Sequence, residues 1–582
     1  MRIKIAAVAA IAMLSIAGSA APVGAAGDDR AADCEWNQWG QNATHQGQVC
    51  AEGQRGLKML AHLVVDPFVQ QEYAEFGGLP THYPVPLIDA DDNVFVLRKG
   101  GSYVSCDPPG SGQPAPCGAD WANVNRQTWT LQALRWERGE LVPRWAFTSD
   151  WKPIPLGWEA MFQSAMTDRS IYVPGLGGTV YQLDKRDGRV LRRINPFGTV
   201  VDPMTWVSGG LTLDANGNLL YNVVKIEPTT TGTDARSWLV RVAGDGGIRT
   251  VYYRTINPDA AGPAELCYGT FNDASPRPAR PWPPPPQPDG SPTLPPQFPC
   301  LSQRAATNLT PTIGPDGTIF LVTRAHSLRA EGYGYLLALR PDLTLRWATS
   351  LRGHLDDGCG VLTPYGNGPR DCRPGSTPGV DPATNLPPAG WAPDFGSSSP
   401  TALPDGGVLF AAYTAYNGQR GHLMKFDGDG RFVTDYDFGW DYTPAVHVHD
   451  RTYSVIVKDN YYGSRGPFML TRLDADLNVE WRHANTSTET CWREPDGTIT
   501  CEDDGAHPNG FEWCINAPAI DRNGTVYGLN ADGFMYAIER DGQVRERVFL
   551  SRTIAAAYTP LSIDGRGRIY AQNNGELYVL GR

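Results

Sequence analysis

One motif recurs eight times along the chain, and such a repeat leaves few folds open. Aligned on a hairpin turn, the first four copies are PLIDADDNVFVL from Pro86, SAMTDRSIYVPGLGGTVYQLDKRDGRV from Ser164, LTLDANGNLLYNVV from Leu211 and PTIGPDGTIFLVTR from Pro311. The others are PTALPDGGVLFAAYT from Pro400, PAVHVHDRTYSVIV from Pro444, PAIDRNGTVYGLNADGFMYAIERDGQV from Pro518 and PLSIDGRGRIYAQNNGELYVLGR from Pro560. In each, a short strand of small and apolar residues meets a D-x-x-G or N-G turn, whose residues tolerate the positive φ of tight hairpins. A second strand carries β-branched and aromatic residues, which suit a half-buried pleated surface. A third reads YxL or YAI, and a fourth follows, as in RWATSL (346–351) and EWRHAN (480–485).

Four antiparallel strands every 40–50 residues or so describe a propeller blade. The period is too long for a β-helix, and a sandwich has no place for eight copies of one unit. The expected fold class is all-β: an eight-bladed β-propeller of four-stranded antiparallel blades. The last unit stops at Arg582 after three strands, which would leave an unpaired edge. The unassigned apolar stretch LKMLAHLVV (57–65) is expected to close the ring by pairing onto the strand that ends at Leu580.

The chain opens with Arg2 and Lys4, an apolar run from Ile5 to Ala17, and small residues up to Ala26. Residues 1–26 therefore read as a cleaved secretory signal, leaving 27–582 as one propeller domain. The apolar run is short for a membrane span, which needs about 18 residues or more. No Cys follows it directly, so no lipid anchor is expected. These features predict a secreted or periplasmic protein without a membrane span. A net charge of −12, with no basic run, argues against nucleic acid as a partner.

All 11 cysteines lie beyond the leader, and most form close pairs: Cys34–Cys50, Cys106–Cys117, Cys267–Cys300, Cys359–Cys372 and Cys491–Cys501. In an exported chain such pairs read as local disulfides, with Cys514 left as the free thiol. The zinc alternative lacks both a C-x-x-C and a His at ligand spacing. Two stretches break the repeat, at about 257–304 and 352–394; in the first, Cys267 and Cys300 bracket a Pro-rich run (276–299), and the second carries Cys359 and Cys372. They read as stapled insertions over one face of the disk, able to cap the channel or bind a partner. Asp-rich turns at Asp89, Asp214 and Asp427 lack the carboxylate that an EF-hand needs at its twelfth position, so they read as hairpin turns.

The repeats PAIDRNGTVYGLNADGFMYAIERDGQV and PTIGPDGTIFLVTR resemble those of the quinoprotein-like superfamily. That superfamily includes the pyrroloquinoline-quinone (PQQ) alcohol dehydrogenases and the propeller of an outer-membrane assembly lipoprotein. The stretch EWNQWGQNATHQGQ (35–48) is similar to the W-x-x-x-G-x-x-x-x-x-x-G segment that precedes the first blade in that superfamily. The resemblance covers residues 35 to 582 and implies the fold. Its catalytic marks do not carry over: there is no Cys-Cys pair to lie over a quinone, no matching Ca²⁺ motif and no lipobox.

Residues just before each innermost strand should gather at the channel mouth. These candidate ligand-binding residues are Tyr83, Glu159, Gln163, Trp206, Asn308, Ser398, Asp441, Tyr442, Glu512, Trp513, Asn516 and Tyr558. Glu159, Asn308 and Asp441, from different blades, form the candidate oxygen ligand set for a hard cation. Trp206 and Trp513 could serve as stacking platforms for sugar hydroxyl-bearing rings. HVHD (447–450) reads as a strand end and turn with solvent-exposed histidines. No G-x-S-x-G elbow is present.

The leading expectation is a binding or scaffold module for a small-molecule, polysaccharide or protein ligand at the channel mouth. One alternative is an extracytoplasmic oxidoreductase with PQQ and Ca²⁺ in a divergent site. Another is a polysaccharide lyase or hydrolase, with Tyr83, His82 and Glu159 as first suspects.

Overall fold

The computed structural model describes residues 34–76, 83–104, 121–156, 160–230, 232–361, 372–394, 396, 398–414, 420–439, 442–461, 466–513, 516–553 and 560–582. Eight antiparallel blades follow one another along the chain, at 87–149, 165–194, 205–252, 312–350, 401–439, 445–484, 519–549 and 561–581. Six of them run in plain up-and-down order from the axis outward, and in the fourth a further strand, Gln303–Ala305, also pairs with Ile319–Ala325. The eighth takes its outermost strand, Lys58–Val64, from near the N-terminus, paired antiparallel to Glu576–Gly581. This is the closure expected from the apolar stretch 57–65.

The Asp of each turn motif has a defined task. Asp214 Oδ1 accepts from the backbone N–H of Asn216 (2.9 Å) and Asn218 (2.8 Å). Asp89, Asp427, Asp521 and Asp564 repeat the pattern. The carboxylate thereby fixes a tight turn, in the first hairpin of the first, third, seventh and eighth blades and between the last two strands of the fifth, because Asx side chains satisfy amides that a tight loop leaves open.

Residues 36–54 form a strap that visits all eight blades in chain order. Trp36 exchanges backbone hydrogen bonds with Ile88, and Asn37 accepts from Met166 N. Gln38 Oε1 accepts from Leu213 N at 2.7 Å. The carbonyls of Ala43, Thr44, Gln46 and Gly47 then accept from Ile313, Ala402, Val446 and Ile520, and Gln54 N donates to Gly567 O. Each inner strand is too short to satisfy its own end, so the strap supplies the missing partner. Gly47, at φ +68°, lies where a Cβ would come 2.6 Å from Pro518 O. Trp36 and Trp39, at the start of the strap, are buried.

Four disulfides are formed: Cys34–Cys50, Cys267–Cys300, Cys359–Cys372 and Cys491–Cys501. Bridges of this kind persist in oxidising compartments. Cys106, Cys117 and Cys514 lie outside the described residues. Among the described residues, no helix is long and apolar enough to cross a membrane.

Candidate ligand-binding site

The residues expected at the channel mouth are engaged in joining blades. Gln163 Oε1 accepts from Val85 N at 2.8 Å, tying the second blade to the first. Asn308 Oδ1 accepts from Met161 N at 2.7 Å. Ser398 Oγ donates to Tyr442 O, and Asn516 Oδ1 accepts from Thr443 N. Tyr442 donates its hydroxyl to Ile456 O. Trp513 is buried edge-on against Tyr536, and its N–H donates to Phe468 O. Tyr83 and Trp206 are buried as well, while Glu512 is partly exposed. Glu159, Asp441, Tyr558 and His82 lie outside the described residues, so of the candidate cation set only Asn308 is described.

The pair in HVHD differs from its expected exposure. His447 is buried, and its Nδ1 accepts from Arg472 at 2.8 Å; burial and the Arg472 charge lower it to about 3. His449 Nδ1 meets Arg540 at 2.7 Å. Guanidinium groups thus occupy the Nδ1 side of both rings, and Ser454 Oγ meets His449 Nε2 at 2.8 Å.

The two stapled insertions build a polar, aromatic space between them. In the first, Leu266–Tyr268 pairs with Gln297–Pro299 beside the Cys267–Cys300 bridge, and the Phe271–Asp273 turn is capped by Thr270. The second packs onto it through hydrogen bonds from Phe271 N to Ala383 O and from Arg373 N to Trp282 O. Asn385 Nδ2 adds a bond to Thr293 O. Proline fixes φ and removes amide donors, so the first insertion can hold an extended path without a sheet ladder.

Between them, against the fourth blade, lies a cavity of about 250 Å³ lined by Tyr268, Tyr333, Trp391, Arg329, Arg352 and Asp381, among others. Arg329 stacks on Phe298 and approaches Asp273 at 3.5 Å. Arg352 lies over the Tyr333 ring. Asp381 is buried; desolvation pushes its carboxyl up to about 7, against the hydrogen bond from Ala383 N. Burial also raises Glu331, which stands 3.4 Å from Arg324.

Close behind Glu331, Arg304 grips Asp394 with two parallel bonds of 2.7 and 2.5 Å, and Arg324 reaches the same carboxylate at 3.2 Å. Burial opposes ionisation of Asp394, but the two guanidiniums hold it well below the usual carboxylate range. A bidentate clamp of this kind fixes orientation as well as charge, giving this side of the cavity a rigid support.

A larger groove of about 970 Å³ lies on the strap face, among the turns of the second to fourth blades. Two of its carboxylates, Asp214 and Asp316, are occupied by turn amides, and Asp316 also receives Arg346; Asp168, Arg169 and Arg241 line it too.

Among the described residues, one group brings His and carboxylate atoms within metal-ligand reach: His422, Asp435 and Asp437. His422 Nδ1 is 2.8 Å from Asp435 and 2.7 Å from Asp437, and Nε2 is 2.8 Å from Asp357. Burial would lower this imidazole; the Asp437 charge and the hydrogen bonds to all three carboxylates instead hold it well above its ordinary value. The cluster ties the second insertion to the fifth blade.

The channel-mouth alignment missed the cavity because its residues lie on insertions, outside the repeat register. The available signals were the Cys brackets and the proline content.

No protein-family model matches this chain, and no curated protein matches its sequence. Among solved structures it is similar to BamB from Moraxella catarrhalis, at 12% identity over 78% of this chain and 88% of that one, with a TM-score of 0.35. It is similar to the quinohemoprotein alcohol dehydrogenase of Comamonas testosteroni, at 10% identity over 95% and 81%, with a TM-score of 0.45. The quinohemoprotein alcohol dehydrogenase ADHIIG of Pseudomonas putida HK5 is similar at 10% identity over 94% and 80%, with a TM-score of 0.47. The fold itself rests on the eight closed sheets: the chain is an eight-bladed β-propeller.

Proposed function

We propose that the chain is an exported binding module that presents a rigid pocket to a small-molecule or polysaccharide ligand, after removal of residues 1–26. The observation that carries this reading is the interlock of the two stapled insertions around a polar, aromatic cavity. The described mouth residues Gln163, Asn308, Ser398 and Asn516 hydrogen-bond their neighbours across the ring, which leaves the cavity as the better-furnished site.

The test is a thermal-shift and calorimetry screen of the oxidised mature protein against sugars, polysaccharide fragments and small polar ligands. A ligand at a hundredfold excess over Kd stabilises the folded state by about 2.7 kcal/mol, which a melting curve reads directly. A C359S/C372S variant should keep its propeller circular-dichroism spectrum and lose the ligand-induced shift. PQQ with Ca²⁺ is added in parallel. Quinone absorbance together with dye-linked alcohol oxidation would overturn this reading in favour of an oxidoreductase.

A further inference from the structure

We propose that the cavity between the insertions binds a single pyranose ring bearing a carboxylate, a uronic-acid residue, with its carboxylate on Arg352 and its ring against Trp391. This rests on the ligand-binding reading above and names the ligand class of the same site.

Size comes first. Sites for drug-sized ligands run from roughly 300 to 1,000 Å³, and this cavity, at about 250 Å³, has room for one sugar ring rather than an extended chain.

Charge comes second. Arg329 is matched by Asp273 at 3.5 Å. Among the described residues no carboxylate lies within 4 Å of Arg352, and its guanidinium makes no side-chain hydrogen bond. The carboxyl of Asp381, pushed up to about 7 by burial, is the acid of the lining that acts on Arg352, but it makes no ion pair with it within 4 Å. Among the described residues Arg352 therefore has no direct ion pair, and it lies over Tyr333, 4.1 Å from the ring centroid. A planar fork of N–H donors matches a carboxylate in two-point contact.

The neutral surroundings come third. Trp391 lines the cavity, and none of the described residues accepts from its indole N–H. Asn272, Asp273 and Thr384 supply further polar atoms around the same space. An aromatic face beside convergent amide, hydroxyl and carboxyl groups suits a polyhydroxylated ring. It suits neither an apolar ligand nor a doubly charged phosphate, for which a single arginine without a direct ion pair is too little.

The experiment is calorimetry on the oxidised mature protein with D-galacturonate and D-glucuronate, their neutral counterparts D-galactose and D-glucose, and sodium acetate. The expected result is at least tenfold tighter binding of a uronate than of its neutral counterpart, with acetate too weak to compete. R352Q should abolish that preference, bringing uronate binding down to the level of its neutral counterpart in the same variant, and W391F should weaken both. R352K, which keeps the charge and loses the fork, should retain part of the preference; it serves as the readout if R352Q does not fold, as judged by its melting curve. Equal binding of charged and neutral sugars, or an unchanged preference in R352Q, overturns the assignment. If other ligands of the screen bind the cavity and uronates do not, this inference fails while the binding reading stands. If no ligand binds, both fail.

Discussion

The guanidinium of Arg352 lies 4.1 Å from the centroid of the Tyr333 ring, on the wall of the cavity between the stapled insertions. The ring holds the cation in place without neutralising it. Tyr333 is itself fixed, since its hydroxyl accepts from Tyr268 N at 3.0 Å.

Y333L should therefore lower uronate affinity by about two- to thirtyfold, the range of a partly desolvated cation–π contact of roughly 0.5–2 kcal/mol. Y333F keeps the ring and should cost less affinity, while leaving the Tyr268 amide without its acceptor. Calorimetry beside a melting curve separates the two effects. Equal losses in both variants would contradict the role given to the ring.

Asp381 gives a pH dependence with a definite sign. Its carboxyl is raised to about 7 by burial, with Asp357 adding to the rise and Ala383 N, Thr384 and Arg352 opposing it. Below about pH 4 both folded and unfolded chains hold this proton, so its contribution is fully present. Between about 4 and 7 only the folded chain keeps it, and stability falls as pH rises. D381N has no proton to lose. Its melting temperature relative to the native protein should rise from pH 4 to pH 8, by a free energy on the order of a few kcal/mol. A difference that stays flat across that range would contradict the buried, neutral carboxyl.

His422 has the opposite chemistry. Its imidazolium contributes stability that is fully present below its ordinary value near 6.5 and is lost only as pH rises through its raised folded value. Its ring carbon–proton resonances should not titrate between pH 6 and 8. H422N removes the cation and leaves Asp357, Asp435 and Asp437 facing one another, a loss of about 3–5 kcal/mol in urea denaturation at neutral pH. A ring titrating near 6.5 would show that the cluster is open to solvent.

Much of the ring was legible from the repeat, because each D-x-x-G turn fixes a hairpin locally and eight hairpins with one spare apolar strand admit one closure. Lys58–Val64 could be placed on that argument alone. The strap could not be placed, because its bonds run from backbone carbonyls such as those of Ala43 and Thr44 to amides hundreds of residues away. The tasks of Gln163 and Asn308 were hidden for the same reason: their partners are 78 and 147 residues distant. Polar residues beside an axis look alike in sequence whether they face a ligand or a neighbouring blade. Arg352, Asp381 and Trp391 sit in segments without periodicity, where no alignment gives a register.

Two glycines measure the strap. Gly56 and Gly47 have nearly equal φ, +67° and +68°, but a Cβ at Gly56 would meet nothing within 4 Å. G56A should cost only the backbone strain of a left-handed residue, about 1–2 kcal/mol. G47A adds the clash with Pro518 O and Ala445 and should cost distinctly more in denaturant unfolding. Equal costs would show that the strap can lift from the seventh blade without penalty.

The most direct test of the binding account is a crystal structure of the oxidised protein soaked with D-galacturonate. The account predicts one sugar ring between the insertions, its carboxylate in two-point contact with Arg352 and its ring against Trp391. Sugar at the channel mouth or in the strap-face groove, with the cavity empty, would contradict it.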